Sequence, residues 1–357
     1  MVEPRPLGSA RWDWSNVKKI LVIRLRSIGD TVLSTPSIYA LRRFLPGARI
    51  DVVLEDWVAS VLEDSPDVDQ IITFKRGSLL AKIDLVQRLR REKYDVAFNI
   101  HGGSTASFMT GLSGARHRVG YQSYRYYPLH NHLAPASSTL WGRDKTHSTE
   151  QQLALPGWCG VPVSDRPPAR LGVSPLDAEK IDHRLREYGL QNKPFALVHP
   201  TASFDSKQWA TVNFARSCEY INSTGLAIVA VTAPDETSVM KDLLAQSKVS
   251  IAGFSDLTLG EVKAIGARAR LFLGNDSSIA HICAAFAVPS VVIFGSSNVA
   301  HWRPWTDAPH AVVREEMPCA PCPGYRCSEY PEAQCIRRVR VEQVIEAVKS
   351  VMTLSRA

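Results

Sequence analysis

Short runs of apolar residues alternate along this chain with longer segments whose apolar residues have helical spacing. The first run covers residues 20–23, and helical spacing follows from Val32 to Leu41. Short, continuous runs rich in β-branched residues are typical of strands that are buried on both faces of a parallel sheet. A strand followed by a helix, repeated many times, predicts a doubly wound α/β fold.

Two such arrays of similar size follow one another. We expect strands in the first array at residues 20–23, 50–54, 70–74, 94–100 and 118–121, and in the second at residues 195–200, 227–231, 249–252, 269–273 and 290–294. A Pro-rich polar stretch at residues 161–168 is typical of a linker. The pattern therefore predicts two Rossmann-like domains, over residues 17–170 and 171–340, that face each other across a cleft. Residues 1–16 are predicted to form a loose arm.

Charged side chains mark the ends of strands in the first array. Arg24, Arg26 and Asp30 follow the first strand, and His101 follows the fourth. Ligands of open parallel sheets bind in the crevice outside the carboxyl ends of the strands. Because Asp30 also lies next to the start of a helix, capping of that helix is the alternative role for its carboxylate. We interpret Arg24, Arg26 and His101 as residues that hold an anionic acceptor.

The second array has a matching element after residues 271–273. Asp276, Ser277 and Ser278 form a turn, and the next helix carries His281. Hydroxyls and backbone N–H groups at a helix N-terminus are suited to phosphate, although the same serines can also cap the helix. His281 is predicted to contact phosphate or to pack in the interior. Asp276 would repel a phosphate, so we expect it to meet a sugar hydroxyl or to order the loop.

Two further charged residues follow strands of the second array. Glu236 comes shortly after residues 227–231, where a carboxylate can accept hydrogen bonds from ribose hydroxyls. A surface glutamate at the start of a helix is the alternative interpretation. Lys207 follows residues 195–200, and a lysine there can stabilise the charge of a departing diphosphate. From its spacing alone, Lys207 is better interpreted as a solvated lysine.

Composition narrows the class of protein. The chain has 357 residues, of which 45% are hydrophobic and 22% charged, as in globular proteins with more than one core. No apolar run is long enough to cross a bilayer, and the first residues do not resemble a signal peptide, so we expect a cytoplasmic protein. A net charge of +7 suits an anionic partner. Nucleic acid is not expected, because no recognised binding motif or basic stripe with interleaved aromatics is present.

Seven cysteines are present, and four of them lie close together near the C-terminus: Cys319, Cys322, Cys327 and Cys335. In a reducing compartment, clustered cysteines favour metal binding over disulfides. The usual zinc pattern has two CxxC pairs, however, and only the first pair here has that form. A structural zinc site, a disulfide pair and free thiols therefore all stay open.

Four segments together resemble glycosyltransferase family 9, the heptosyltransferases, which have the GT-B fold. They are residues 23–30 (IRLRSIGD) with 33–36, residues 273–281 (LGNDSSIAH), residues 199–203 (HPTAS) with 207–209, and residues 94–103 with 118–121. The resemblance covers nearly the whole chain after Lys18. One position departs from it, because Ser278 stands where the family pattern has glycine. Neither G-x-G-x-x-G nor a P-loop motif is present, which argues against a dehydrogenase or an NTPase.

The resemblance implies an inverting transfer of heptose, or a related sugar, from ADP-heptose to a lipopolysaccharide core acceptor. Asp30 would be the general base, and Lys207 with the loop hydroxyls of Thr201 and Ser203 would contact the diphosphate. The resemblance also implies that an amphipathic helix expected over residues 341–357 packs back on the N-terminal domain.

The chemistry of such a transfer agrees with these residues. The acceptor hydroxyl must lose a proton, and the leaving diphosphate must be stabilised. Asp30 suits the first task, and Lys207 with the Ser277–Ser278 helix N-terminus suits the second. No D-x-D motif lies near these segments, so we expect no obligatory metal and no other cofactor for catalysis.

The expected partners are an ADP-sugar donor and a lipid-linked saccharide acceptor, with peripheral contact at the cytoplasmic face of the inner membrane. Two alternatives stay open. The chain could be a GT-B transferase for another nucleotide sugar or for a protein acceptor. It could also be a non-catalytic nucleotide-sugar-binding protein, which would have no need of Asp30.

Overall fold

The computed structural model describes residues 3–322 and 326–355. It divides into two compact units, residues 1–172 and 173–357. The predicted boundary, between residues 170 and 171, therefore lies close to the division that the structure makes. Each unit contains one six-stranded sheet whose neighbouring strands are all parallel.

The first unit is an α/β domain with helices between its strands. Its strands are β1 (Lys19–Leu25), β2 (Arg49–Glu55), β3 (Gln70–Phe74), β4 (Val96–Asn99), β5 (His117–Tyr121) and β6 (His132–Ala134). Its α-helices are α1 (Ile28–Val32), α2 (Thr35–Phe44), α3 (Leu79–Glu92), α4 (Gly103–Leu112), α5 (Ser137–Trp141) and α6 (Ser148–Trp158). Short 3-10 helices cover Trp14–Asn16, Asp56–Val61 and Tyr127–Leu129.

The second unit repeats this plan. Its strands are β7 (Phe195–His199), β8 (Ala227–Val231), β9 (Ile251–Phe254), β10 (Leu271–Asn275), β11 (Ser290–Ile293) and β12 (His310–Val313). Its α-helices are α7 (Pro175–Glu187), α8 (Thr211–Ser223), α9 (Thr237–Gln246), α10 (Leu259–Arg268), α11 (Ser278–Ala285), α12 (Val299–Trp302), α13 (Gln334–Arg337) and α14 (Val341–Leu354). Short 3-10 helices cover Asp205–Lys207 and Pro234–Glu236.

Both sheets have the same strand order. The first runs β3-β2-β1-β4-β5-β6, and the second runs β12-β11-β10-β7-β8-β9. In each sheet the second and third strands of the unit are added one after another on one side of the first strand. The chain then crosses back, and the last three strands are added one after another on the other side of the first strand. The reversal lies between β1 and β4 in the first unit and between β7 and β10 in the second. In doubly wound sheets, the crevice at this reversal is the place where ligands bind.

The central strands are buried on both faces, which explains their continuous apolar runs. In the second sheet, Leu197 and Phe272 belong to one core cluster, whereas their neighbours Val198 and Leu273 belong to another. Because side chains of a strand alternate between faces, both faces of this sheet are packed against helices. The ten strands predicted from these runs are all present.

Two edge strands were not predicted. Strand β6 follows the last predicted strand of the first array, and β12 lies between the last predicted strand of the second array and the cysteine-rich segment. The helix expected from Val32 to Leu41 is divided into α1 and α2 by a turn at Leu33 and Ser34, and Pro36 lies in the first turn of α2. Proline is favoured there because the first helical N–H groups have no partner within the helix.

The N-terminal segment is bound to the first unit, so the prediction of a loose arm is wrong. The backbone N–H groups of Leu7 and Gly8 donate to the carbonyl of Gly157 at 3.0 and 3.1 Å. The indole N–H of Trp14 donates to the carbonyl of Cys159 at 2.9 Å, and the Trp14 side chain is buried. Aromatic burial and these hydrogen bonds offset the entropy that ordering the segment costs.

The final helix, α14, packs within its own unit. Val344, Val348 and Val351 lie in a core cluster with Trp209 and other side chains of the second unit, and α14 contacts α8, β11 and β12. The expectation that this helix returns to the N-terminal domain therefore differs from the structure. The valines of α14 recur every three or four residues and so form a single apolar face. This face packs against β11 and β12 of the second sheet.

None of the helices in the described part of the chain is both long and apolar enough to cross a membrane.

The placement of α14 predicts different effects for two adjacent substitutions. Val348→Ala should lower the free energy of unfolding by about 2 kcal/mol, because it removes buried methyl groups and leaves a cavity. Lys349→Ala, on the exposed side of the same helix, should change it by less than about 0.5 kcal/mol. Urea unfolding of the full chain measures both, and equal losses would contradict this packing.

Candidate functional site

The reversal point of the first sheet carries an ion pair between two of the predicted residues. Arg24 Nη2 lies 2.7 Å from Asp30 Oδ1, and the Arg24 side chain is almost fully buried while that of Asp30 keeps 25% of its surface exposed. Between them, Leu25 ends β1 in the left-handed region with φ 65°, a conformation that costs a non-glycine residue free energy. This turn brings the carboxylate in α1 back to the end of β1.

Asp30 does not act as a helix cap. Its Oδ2 accepts a hydrogen bond from the Ser27 hydroxyl at 2.7 Å, and Ser27, the N-cap residue of α1, makes no side-chain cap bond. Both carboxylate oxygens are therefore held by side chains, one charged and one neutral. The capping interpretation made from the sequence is not supported, because these bonds orient the carboxylate rather than the helix.

His101, at the end of β4, completes this cluster. Arg24 Nη1 lies 3.3 Å from His101 Nδ1, and because a guanidinium only donates, Nδ1 must accept. Burial, with the positive charge of Arg24, lowers the pKa of His101 to about 4. Desolvation also lowers the pKa of Arg24, against the raising effect of Asp30. The structure thus brings Arg24, Asp30 and His101 together, with the histidine neutral at pH 7.

The loop after β4 depends on a glycine. Gly102 has φ 72°, and a side chain there would approach the Tyr124 ring at 3.0 Å. Its N–H donates to Asn99 Oδ1 at 2.9 Å, and the Tyr124 hydroxyl donates to the Asn99 carbonyl at 3.0 Å. Burial raises the pKa of Tyr124, which keeps that hydroxyl protonated. This packing fixes the start of α4 beside His101.

A cavity of about 390 Å³ opens at this edge of the first sheet, and we call it the first-unit cavity. Arg26, Arg76 and Lys82 line it, together with His101 and the first residues of α4. Its one acidic lining residue among the described residues, Glu55, accepts a hydrogen bond from the indole of Trp57 at 2.8 Å. Three cations and a helix N-terminus make the cavity suited to an anionic group.

The reversal point of the second sheet is held by an asparagine. The buried Asn275, at the end of β10, donates from Nδ2 to the Pro200 carbonyl at 2.9 Å and accepts from the Trp209 N–H at 3.1 Å. The amide group therefore joins the end of β10 to both ends of the loop that follows β7. This loop carries Thr201, Ser203 and Lys207.

Lys207 and Asp276 form an ion pair at this point. Lys207 Nζ lies 2.8 Å from Asp276 Oδ2; Asp276 is nearly buried, whereas the lysine side chain is 23% exposed. Asp276 Oδ2 thus holds the lysine, which agrees with the expectation that Asp276 orders the loop. Lys207 is not a freely solvated lysine, because its ammonium is fixed at the carboxyl end of β10.

Thr201 and Glu236 are also in direct contact. The Thr201 hydroxyl donates to Glu236 Oε2 at 2.7 Å, and the same oxygen accepts from the Ala233 N–H at 2.9 Å. His199 Nδ1 lies 2.9 Å from the Val231 carbonyl, and burial lowers the pKa of this histidine. These bonds join the ends of β7 and β8 and place Glu236 at the sheet edge, next to the start of α9.

The serine turn starts α11 as expected. Ser277 is the N-cap residue, yet its side chain makes no cap bond, and its buried hydroxyl has no hydrogen-bond partner among the described residues. Ser278 is the first helical residue, and His281 is buried one turn later. Ser203 is exposed in the loop after β7. The structure therefore places the predicted residues of the second unit at one sheet edge.

The cysteine-rich segment forms no metal site in the part of the chain that is described. All seven cysteines are described and each is a free thiol, so the structure contains no disulfide between Cys319, Cys322, Cys327 and Cys335. Among the described residues, no group of three or more Cys, His, Asp and Glu is placed to hold a metal ion. Residues 323–325, between the second and third cysteines, lie outside the described ranges.

Comparison with known proteins now identifies the family. The model for glycosyltransferase family 9 (heptosyltransferase) matches residues 83–332, well over half of the chain. The chain belongs to glycosyltransferase family 9. It is therefore a glycosyltransferase, and the family predicted from its motifs is confirmed.

Individual relatives agree with this assignment. Lipopolysaccharide heptosyltransferase 3 of Escherichia coli is 25% identical over 303 residues, which cover 79% of this chain and 85% of the relative. The family 9 glycosyltransferase of Veillonella parvula superposes with a TM-score of 0.81 at 20% identity, covering 94% of this chain and 97% of that one. E. coli ADP-heptose lps heptosyltransferase II superposes with a TM-score of 0.77 at 20% identity, covering 95% and 100%. The predicted GT-B fold class, with two Rossmann-like domains, is confirmed.

Sequence reasoning missed several residues that build the site of this family 9 enzyme. Ser27 and Asn275 lie within the motifs that were quoted, but their roles depend on bonds to Asp30 and to the Pro200 loop. Arg76, in the loop after β3, and Lys82, in α3, line the first-unit cavity. No spacing relates them to His101, so only the fold brings them together.

The neutral state of His101 predicts a pH dependence of stability. Its pKa is about 4 in the folded protein and 6.5 in the unfolded chain, so the unfolded chain binds the extra proton between these values. The free energy of unfolding should therefore fall on acidification, with His101 contributing about 2 kcal/mol of loss between pH 7 and pH 5. His101→Gln should show a correspondingly smaller loss in urea unfolding, and an identical loss in both proteins would contradict the assignment.

Proposed function

We propose that this family 9 enzyme transfers heptose, or a closely related sugar, from ADP-heptose to a lipopolysaccharide core acceptor with inversion. The relatives' names supply the donor and the class of acceptor. The observation that carries the proposal is the Lys207–Asp276 pair at the reversal point of the second sheet, beside the unpartnered Ser277 hydroxyl. A lysine, a hydroxyl and a helix N-terminus are what a diphosphate requires from a protein.

In this proposal, Asp30 takes the proton from the attacking acceptor hydroxyl. Its partial exposure leaves room for a substrate hydroxyl, while Arg24 and Ser27 fix its orientation. A positioned base of this kind typically accelerates a reaction by about 100-fold to 10,000-fold. Because a single carboxylate is used and no covalent sugar intermediate is needed, the hydroxyl displaces the diphosphate directly and the anomeric configuration inverts.

Lys207 stabilises the leaving diphosphate. Its ammonium contacts Asp276, and we infer that a phosphate oxygen becomes a second anionic partner on donor binding. Ser277 and Ser278, at the N-terminus of α11, supply hydroxyl and N–H donors to the same phosphates. Thr201 and Ser203 belong to the same loop as Lys207 and line the diphosphate. His281, one turn into the helix, faces the same group in this proposal.

Glu236 binds the ribose of the donor in this proposal. Its Oε2 is held by Thr201 and by the Ala233 N–H, which fixes the carboxylate at the end of β8. A carboxylate in this position can accept from both hydroxyls of a ribose. Its N-cap position in α9 is compatible with that role.

The acceptor binds to the first unit in this proposal. The first-unit cavity is lined by Arg26, Arg76, Lys82 and His101, which suits the anionic groups of a phosphorylated or carboxylated saccharide. Arg24 takes part through its contacts with Asp30 and His101. We expect a lipid-linked acceptor, reached in the cytoplasm at the inner face of the inner membrane. Catalysis without a metal or other cofactor stays a prediction.

Removing the base should separate transfer from donor binding. We expect Asp30→Asn to lower kcat by about 100-fold or more while leaving the Kd for ADP-heptose within about twofold, because the donor is assigned to the second unit. Asp144→Asn, an exposed carboxylate elsewhere in the first unit, is the matched control. Transfer by Asp30→Asn at the wild-type rate would rule out this base.

The donor can be identified by thermal stabilisation. Among ADP-, UDP-, GDP- and CDP-sugars, ADP-heptose should raise the Tm most, because only a bound ligand stabilises the folded state. Lys207→Met should weaken ADP-heptose binding by about 10- to 100-fold, the loss of a charge-assisted contact, whereas the exposed Lys241→Met should not. A larger shift with another nucleotide sugar would instead support the alternative donor.

A further inference from the structure

An apolar groove on the first unit has no role in the reaction described above. It measures about 540 Å³ and lies between α3 and α4, and we call it the α3–α4 groove. Ile83, Val86 and Arg90 line it from α3, and Phe108 and Leu112 line it from α4, with Tyr126 at its rim. Ile83, Phe108 and Leu112 are 47%, 46% and 45% exposed. Such exposed apolar surface in one place marks an interaction site more often than scattered residues do.

Helix α3 explains why this surface is exposed. Leu85 and Leu89 are buried in the core of the first unit with Met109. They form the apolar face by which α3 packs against this core. Ile83, Val86 and Arg90 recur at three- and four-residue spacing on a second face that lines the groove. Helix α3 therefore has two apolar faces, one packed in the core and one exposed to solvent. The exposed face is not needed to pack the helix against its own unit.

The charges around the groove are mainly positive. Lys82 and Arg90 line it, and Arg88 and Arg91 are exposed on the same helix. The guanidinium of Arg125 lies 5.5 Å from the ring of Tyr126. The opposing carboxylates of α3 are Asp84 and Glu92, and Glu92 is already paired with Lys19. Apolar side chains flanked by cations and an interfacial tyrosine are suited to an anionic lipid surface.

The groove is continuous with the first-unit cavity. Lys82, Ser104 and Thr105 line both, so a molecule in the groove reaches the cavity along the N-terminal half of α4. A saccharide in the cavity would therefore have its lipid end on the groove side.

We propose that the α3–α4 groove is the membrane-docking surface of this enzyme and that it inserts into an anionic phospholipid leaflet. Ile83, Phe108 and Leu112 enter the acyl boundary, while Lys82, Arg90 and Tyr126 remain at the level of the headgroups. The consequence for catalysis rests on the proposed function: docking here presents the first-unit cavity to a saccharide that is anchored in the same leaflet.

Vesicle flotation with the full chain tests this surface without any sugar donor. The wild type should bind vesicles of phosphatidylethanolamine with phosphatidylglycerol, bind phosphatidylcholine vesicles at least about tenfold less, and be released by high salt. Ile83→Ser/Phe108→Ser should weaken binding to the anionic vesicles about tenfold or more. Arg90→Glu should weaken it similarly at low salt.

Matched controls lie on exposed positions of the second unit. Leu176→Ser/Leu244→Ser removes two exposed leucines, and Arg216→Glu reverses an exposed arginine; both should bind vesicles as the wild type does. Unchanged Tm values in all variants exclude unfolding as the cause.

Several results would overturn the proposal. These are equal binding to anionic and neutral vesicles, or groove variants that bind as tightly as the controls. A concentration-dependent dimer in light scattering that Ile83→Ser/Phe108→Ser abolishes would instead assign the groove to a second copy of the chain.

Transfer to a lipid-free acceptor saccharide separates this proposal from the proposed function. Ile83→Ser/Phe108→Ser should match the wild type in that assay. If the wild type itself transfers nothing from any nucleotide sugar while vesicle binding behaves as expected, the proposed function fails and the docking surface stands.

Discussion

The reversal of strand order within each parallel sheet is the constraint on which the rest of the structure depends. At this point the connections that follow the two neighbouring strands run to opposite sides of the sheet. No connection therefore crosses over the carboxyl ends of these two strands. The ends of β1 and β4, and separately those of β7 and β10, therefore border a gap between the connections, in which Arg24 and Asn275 are nonetheless buried. In each unit a polar loop follows the first strand. The Arg24–Asp30 pair holds this loop in the first unit, and Asn275 at the end of β10 holds it in the second.

Both gaps are held by charge pairs rather than by apolar packing. Arg24 with Asp30, and Lys207 with Asp276, each join one buried charge to one that is partly exposed. A buried charge is stable only with a partner, so each pair keeps its loop in one arrangement before any ligand arrives. Charged groups that are fixed in this way are preorganised.

The sequence predicted the central parts of this architecture because they are encoded locally. Residues 20–23 and Asp30 are close together in the chain, and the strand, turn and helix there follow from a single apolar run and its interruption. Strand β6 has only three residues and lies at the edge of its sheet, so its pattern is too short to recognise. The bond between Arg24 and His101 joins residues 77 positions apart, and no local pattern encodes it. The packing of α14 on β11, β12 and α8 likewise joins segments far apart in the chain, and its apolar face alone does not say which sheet it covers.

The contact between Arg24 and His101 also sets how the first-unit cavity responds to acid. With Nδ1 occupied as an acceptor, the imidazole carries its single proton on Nε2 and contributes a hydrogen-bond donor but no charge. Since its pKa is about 4, mild acidification leaves the electrostatic potential of the cavity unaltered by this residue. His101 as a titrating group therefore adds nothing to the attraction of an anion into this cavity, which rests on fixed side chains and a helix dipole.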